Sequence, residues 1–173
     1  NTAGIIEAFA LLRSRHPQAQ LVVVGGASLL DHASYGARCR AALSAHGLVV
    51  GRGEAVIETG PVSQEEMPAF YRTADVLAFP SWTEGFGLCV LEAMACGLPA
   101  IVSRRPPFTE YLRSDDALFV DPGDPRNIAD AMTAALAPMT RARLRVAGST
   151  RAAAHSWGAC AERHLDTYAA CAR

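Results

Sequence analysis

The sequence contains no lysine: all sixteen basic residues are arginine. A genome rich in G and C accounts for the bias without any function, but it has a consequence. Any phosphate this chain binds must be held by arginine or by backbone N–H groups. Other absences narrow the field. The five cysteines, Cys39, Cys89, Cys96, Cys160 and Cys171, are odd in number and scattered, with no Cys-x-x-Cys pair. That pattern argues against a disulfide framework or a zinc site and for reduced thiols, so a cytoplasmic location is the expectation. The five histidines (His16, His32, His46, His155, His164) show no His-Glu-x-x-His spacing, and there is no Asp-x-Asp donor-metal signature. Neither a metal nor a cofactor is expected. No apolar run approaches the roughly 18–20 residues that span a bilayer, and no secretory signal is present. With 16 basic against 17 acidic residues and a net charge of −1, the chain carries no electrostatic footprint for nucleic acid or an anionic membrane.

What is there suits one folded domain. At 173 residues, half of them apolar, the chain can bury a substantial core. It begins at Asn1 in a helical pattern and reads as a piece of a longer protein. Ile5, Ile6, Phe9 and Leu12 recur at helical spacing over Gly4–Arg15, with Thr2 as candidate cap. Leu21–Val24 is a short apolar run closed by Gly25-Gly26, as in a buried parallel strand. After a loop over 27–36, a helix is expected at Ala37–His46 and a strand at Ala55–Ile57, turned by Gly60-Pro61. Ser63 and Glu66 form a capping box for a helix running to Thr73. Strands follow at Val76–Phe79, Ala100–Val102 and Ala117–Val120. Between them lie an apolar helix from Leu88 to Ala95 and a short one around Glu110–Leu112. Asp124-Pro125 opens a helix to Leu136, and two more follow at Thr140–Ala154 and Trp157–Ala172, the last capped by Ser156, with Trp157 as a core anchor. This alternation specifies a single α/β domain, a doubly wound, Rossmann-like parallel sheet of five or six strands. Ligands of such sheets bind at the carboxyl ends of the strands.

The chemistry concentrates in Ser81–Pro99. A strand ends at Phe79, and a loop with two glycines runs directly into a helix near Gly87. Glycines let backbone approach a ligand, and a helix start presents free N–H groups and a positive dipole end to an anion. Glu84 lies in the loop. Glu92 lies on the helix's second turn, roughly 7–8 Å along the axis at about 1.5 Å per residue. A diphosphate can accept from the N–H groups while each carboxylate accepts from sugar hydroxyls. The same residues also have a simpler reading, since glutamate near a helix N-terminus is stabilising without a ligand and glycine is ordinary in loops. Gly25-Gly26 is too short for a dinucleotide fingerprint and lacks the acidic residue on a second strand, which disfavours a dehydrogenase.

The segment resembles the C-terminal domain of the group 1 glycosyltransferases, retaining enzymes of the GT-B fold. Their two glutamates are separated by seven intervening residues with Gly-Phe-Gly or similar inside, as in Glu84-Gly85-Phe86-Gly87-Leu88…Glu92. The likeness extends through Glu92–Ile101, Leu21–Gly26, Gly60-Pro61-Val62, Phe119–Asp124 and Ser156-Trp157. It implies that residues 1–173 are the donor-binding domain of a two-domain enzyme whose first strand and N-terminal, acceptor-binding domain lie outside this chain. It further implies transfer of a glycosyl group from a nucleoside-diphosphate sugar, a substrate rather than a cofactor, with retention of configuration. Glu84 would meet the transferred sugar, as the catalytic candidate, and Glu92 the ribose. Backbone at Gly85, Phe86, Gly87 and Leu88 would hold donor oxygens, Gly25 and Gly26 would admit the donor, and Gly60 and Val62 would border the base. The implied partners are the nucleotide sugar and the enzyme's own N-terminal domain; any peripheral membrane contact belongs to that other half. Two departures stand out. The family's upstream basic pair would precede Asn1, and where many members have Gly-Gly before a glutamate this chain has Arg105-Pro106-Pro107-Phe108-Thr109-Glu110, whose prolines offer no N–H. Arg104 or Arg105 could supply the phosphate charge, or be a solvated surface pair. Trp82 could line the donor pocket. The rival readings are a nucleotide-sugar epimerase or phosphorylase of GT-B type, and a non-catalytic nucleotide-binding or interaction module of flavodoxin-like fold.

Overall fold

The strand Ala100–Ser103 shows how the layers are arranged, because all four of its residues are buried. Successive strand residues face opposite ways. Ile101 packs with Phe9, Val120, Ile128 and Met132, whereas Ala100 and Val102 pack with Val90, Met94 and Phe108. Apolar residues on both faces of a strand require helices on both sides of the sheet. In the computed structural model, which describes residues 1–25 and 33–171, the helices are α1 (Thr2–Arg15), α2 (Ala33–Ala45), α3 (Met67–Thr73), α4 (Leu88–Ala95), α5 (Phe108–Tyr111), α6 (Pro125–Leu136), α7 (Pro138–Ala153) and α8 (Trp157–Cys171); α1 and α6 cover one side of the strand Ala100–Ser103, α4 and α5 the other. The strands are β1 (Leu21–Val24), β2 (Val56–Gly60), β3 (Leu77–Phe79), β4 (Ala100–Ser103) and β5 (Leu118–Val120). Among the described residues these strands pair in parallel, and the isolated bridge between Gly25 and Gly60 is antiparallel. Gly26 and most of the loop expected over 27–36 lie outside the described residues; 33–36 already belong to α2.

The expectation of one continuous sheet is corrected. β1 pairs with β2, and β3, β4 and β5 form a second sheet in that order. Packing rather than a hydrogen-bond ladder joins them: Leu21 and Val23 of β1 and Ala78 of β3 rest against the same core as Ile101 and Val120. Periodicity locates strands but says nothing about lateral neighbours, so the division was invisible in the sequence.

Both sheets present their carboxyl ends to one edge of the domain. The Asn1 side chain donates to the carbonyls of Pro80 (2.9 Å), just after β3, and Pro122 (2.8 Å), just after β5. Ala3 N donates to the hydroxyl of Tyr35, which lies on the helix after β1. The start of α1 therefore touches the chain beyond β1, β3 and β5 alike. Thr2 is not the cap: Asn1 holds that position, with its amide spent on the two carbonyls. Ser63 does bond Glu66, through both N–H (3.2 Å) and hydroxyl (2.8 Å), but as a turn; α3 begins only at Met67. α6 starts as the sequence implies, with Asp124 accepting from Arg126 N and Asn127 N. Ser156 caps α8 by accepting from Ala159 N at 3.2 Å. α8 buries none of its residues, and Trp157 is 79% exposed rather than a core anchor.

Candidate functional site

The loop between β3 and α4 is built around Gly87. Its φ of 82° is left-handed, and a Cβ there would sit 2.5 Å from Phe108 Cε1, so only glycine fits. Gly85 differs: a Cβ would meet nothing within 4 Å, and its φ is not left-handed. The fold demands the second glycine of Gly-Phe-Gly and not the first. Around them α5 acts as a clamp. Phe86 stacks on Tyr111 with centroids 4.9 Å apart and planes at 14°, and the Tyr111 hydroxyl donates to the Phe86 carbonyl at 3.1 Å. Trp82 carries the Arg105 guanidinium 5.3 Å above its ring. Among the described residues, the N–H groups of Phe86, Gly87 and Leu88 find no acceptor, as expected where a helix begins. Trp82, Phe86 and Leu88 leave large apolar surfaces exposed beside them.

The two carboxylates belong to this loop and the helix it opens. Glu84 and Glu92 are each half-buried. Glu84 Oε1 accepts from Gly85 N at 2.9 Å, so that N–H is already occupied. Glu92 Oε2 accepts from the Tyr71 hydroxyl at 3.1 Å. Cys89 stands between them in the sequence, on the first turn of α4. Burial first, then the charges of Glu84 and Glu92, push its thiol up to about 11. Cys89 and Glu92 stand three residues apart on α4 and so share a helix face. Burial likewise raises the Tyr71 and Tyr111 phenols, with Glu92 adding to the first and Glu84 to the second. Both tyrosines remain hydrogen-bond donors at neutral pH.

The remaining candidates form a second group at the same edge. Gly25 (φ 128°) and Gly60 (φ 70°) face each other at the ends of β1 and β2, Gly25 N donating to Gly60 O at 3.1 Å. Val62 follows, half-buried; Gly26 lies outside the described residues. The structure thus joins Glu84–Leu88 with Glu92, and Gly25 with Gly60, on two different sheets. Of the two arginines, Arg104 is tied back: its backbone N–H bonds Val120 O at 2.7 Å and its guanidinium bonds Phe119 O at 3.3 Å. Arg105 has no ion-pair partner among the described residues. Sequence reasoning did not find Tyr71, Tyr111 or Phe108 as parts of the site. Nothing in local spacing links 71 to 92 or 111 to 86, because those contacts cross between elements.

Comparison with known proteins follows the same lines. The family model described as "Glycosyl transferases group 1" matches residues 1–150. A D-inositol 3-phosphate glycosyltransferase of Corynebacterium jeikeium is 37% identical over 162 residues, covering 91% of this chain and 38% of the relative. The chain therefore spans well under half the length of that relative. The C-terminal domain of a glycosyl transferase group 1 family protein from Francisella tularensis, solved alone, superposes with a TM-score of 0.75 at 25% identity, covering 89% of this chain and 78% of that one. Anabaena HepE, solved with UDP and glucose, reaches 0.80 at 19% identity, covering 96% and 44% respectively; at that identity the likeness is one of fold.

Proposed function

The chain belongs to the group 1 glycosyl transferase family, and on that premise we propose that it is the donor-binding domain of an enzyme that moves a sugar from a nucleoside diphosphate to an acceptor with retention of configuration. The observation that carries the reading is a helix start with free N–H groups at Phe86, Gly87 and Leu88, preceded by the loop carboxylate of Glu84 and followed by Glu92 on the same helix. The division of labour follows from their positions. The N–H groups of Phe86, Gly87 and Leu88 take the diphosphate oxygens, where the dipole of α4 favours negative charge. Glu92, one turn into α4, accepts from the ribose hydroxyls. Glu84, in the loop, accepts from hydroxyls of the transferred sugar. Gly25 lets the end of β1 approach the donor, and Gly60 and Val62 border the base. Catalysis then rests on holding the donor in place and stabilising the departing diphosphate. The acceptor pocket belongs to an N-terminal domain; α8, whose Trp157, Leu165 and Tyr168 are all exposed, offers that domain an apolar face.

Calorimetry with UDP, GDP and ADP, each as free diphosphate and as sugar conjugate, tests the assignment. Glu92→Ala is expected to weaken diphosphate and donor alike by roughly 10–150-fold, the loss of a hydrogen bond to a charged acceptor worth about 1.5–3 kcal/mol. Glu84→Ala should spare the free diphosphate and depress turnover of the full-length enzyme. Equal loss of diphosphate affinity in both variants would mean that the motif serves loop shape alone.

A further inference from the structure

Glu92 is the one charged residue of α4, whose sequence is Leu-Cys-Val-Leu-Glu-Ala-Met-Ala. Among the described residues it has no cationic partner, and the Tyr71 hydroxyl at 3.1 Å is the donor its side chain accepts from. Tyr71 in turn has little freedom. It is 7% exposed, with its ring in a small core formed with Ala93 and Leu98 and flanked by Met67, Leu77 and Cys96. Packing sets the ring, and the ring sets the hydroxyl. A buried phenol needs a polar partner, and here the partner is a carboxylate oxygen on the neighbouring helix.

We propose that Tyr71 is a positioning residue: by engaging Oε2 of Glu92 it orients the carboxylate so that Oε1 faces the carboxyl edge of the sheet and distinguishes ribose from deoxyribose in a bound nucleoside diphosphate. The choice of partner matters. An arginine or lysine at this place would neutralise Glu92 and compete for both oxygens. A neutral donor bonds one oxygen and leaves a full acceptor, and an acceptor-only carboxylate suits a pair of sugar hydroxyls. An unheld glutamate would have to lose side-chain freedom when ligand binds, whereas one already fixed by Tyr71 does not. This inference rests on the ribose-binding reading of Glu92 given above.

The experiment uses the full-length enzyme and whichever of UDP, GDP or ADP binds it most tightly. Affinities are measured for that ribonucleotide, its 2′- and 3′-deoxy counterparts, and inorganic pyrophosphate, in wild type and Tyr71→Phe. Phenylalanine keeps the ring in its core and removes only the hydroxyl; melting temperatures are recorded alongside. Wild type should prefer the ribonucleotide. Tyr71→Phe should shrink that preference by roughly 2–10-fold, the range for one net hydrogen bond, while pyrophosphate affinity stays unchanged. In a Glu92→Ala background Tyr71→Phe should change nothing further, as expected when one residue acts through the other. A Tyr71→Phe enzyme with undiminished ribose preference, or one that loses pyrophosphate to the same degree, overturns the positioning role and leaves the proposed function standing. A wild-type enzyme indifferent to the ribose hydroxyls sinks the ribose assignment of Glu92, and the role of Tyr71 with it.

Discussion

Replacing Gly87 with alanine should damage the fold, whereas the same change two residues earlier should not. At Gly87 the backbone is left-handed, which costs an alanine about 1–2 kcal/mol. The new Cβ would also lie 2.5 Å from Phe108 Cε1 and 3.0 Å from Cζ. Phe108 is fully buried within the core of Val90, Met94 and Val102, so the ring cannot move aside freely, and overpacking of this kind costs about 1–3 kcal/mol. Together the two effects predict a loss of about 2–5 kcal/mol. In a domain of this size, where each kcal/mol shifts Tm by about 2–4 °C, that is about 4–20 °C. Gly85→Ala meets neither obstacle and should stay within about 0.5 kcal/mol of wild type. Its effect should appear instead as weakened binding of a nucleoside diphosphate, because a methyl there stands in open space beside the N–H groups. Urea unfolding of both variants measures the first quantity and calorimetry the second. Adding Phe108→Leu to Gly87→Ala should recover part of the loss, since the clashing ring atoms are gone. Equal destabilisation by the two alanines, or a Gly87→Ala cost below about 1 kcal/mol, would refute the claim that these glycines have different reasons to be there.

Three further expectations rest on particular contacts. Asp116 accepts from Arg113 N at 2.9 Å and from Arg151 Nε at 2.8 Å, with its side chain only 9% exposed; Asp116→Ala leaves Arg151 without its partner and should cost about 3–5 kcal/mol in denaturant unfolding. The Cys89 thiol, ordinarily near 9, is raised to about 11 in the folded chain. The neutral form is therefore favoured by folding, a contribution complete below pH 9 and lost as pH climbs through 11. Stability should fall over that window and fall less in Cys89→Ala, and alkylation of Cys89 should stay slow until the pH approaches 11. Finally, if either arginine meets the phosphates it should be Arg105, because the Arg104 guanidinium is already held by Phe119 O: Arg105→Ala should then weaken a nucleoside diphosphate by about tenfold in a salt-sensitive way, and no effect of either Arg104→Ala or Arg105→Ala in calorimetry would make both a solvated surface pair.

Much of this was legible without coordinates. The apolar runs and their punctuation placed β1 at Leu21–Val24 and α4 at Leu88–Ala95 to the residue, because strands and helices each impose a period on the side chains that must face a core; that β1 is only half-buried, with Val22 46% exposed, was not legible. Asp124-Pro125 announced α6 for an equally local reason, a side chain reaching N–H groups two and three residues on. The spacing of Glu84 and Glu92 belongs to the same class, since a loop and one helical turn suffice to relate them. Contacts between elements were not legible. The division into two sheets, the closure of α5 over Phe86 and Gly87, the bond from Tyr71 to Glu92 and the exposure of Trp157 each depend on which segments become neighbours after the chain returns on itself. Local residues determined what each segment would be and where its glycines and carboxylates would stand along it. Tertiary packing decided which phenol holds which carboxylate, because a hydrogen bond across 21 residues of sequence is specified by the arrangement of α3 against α4 and by no pattern within either.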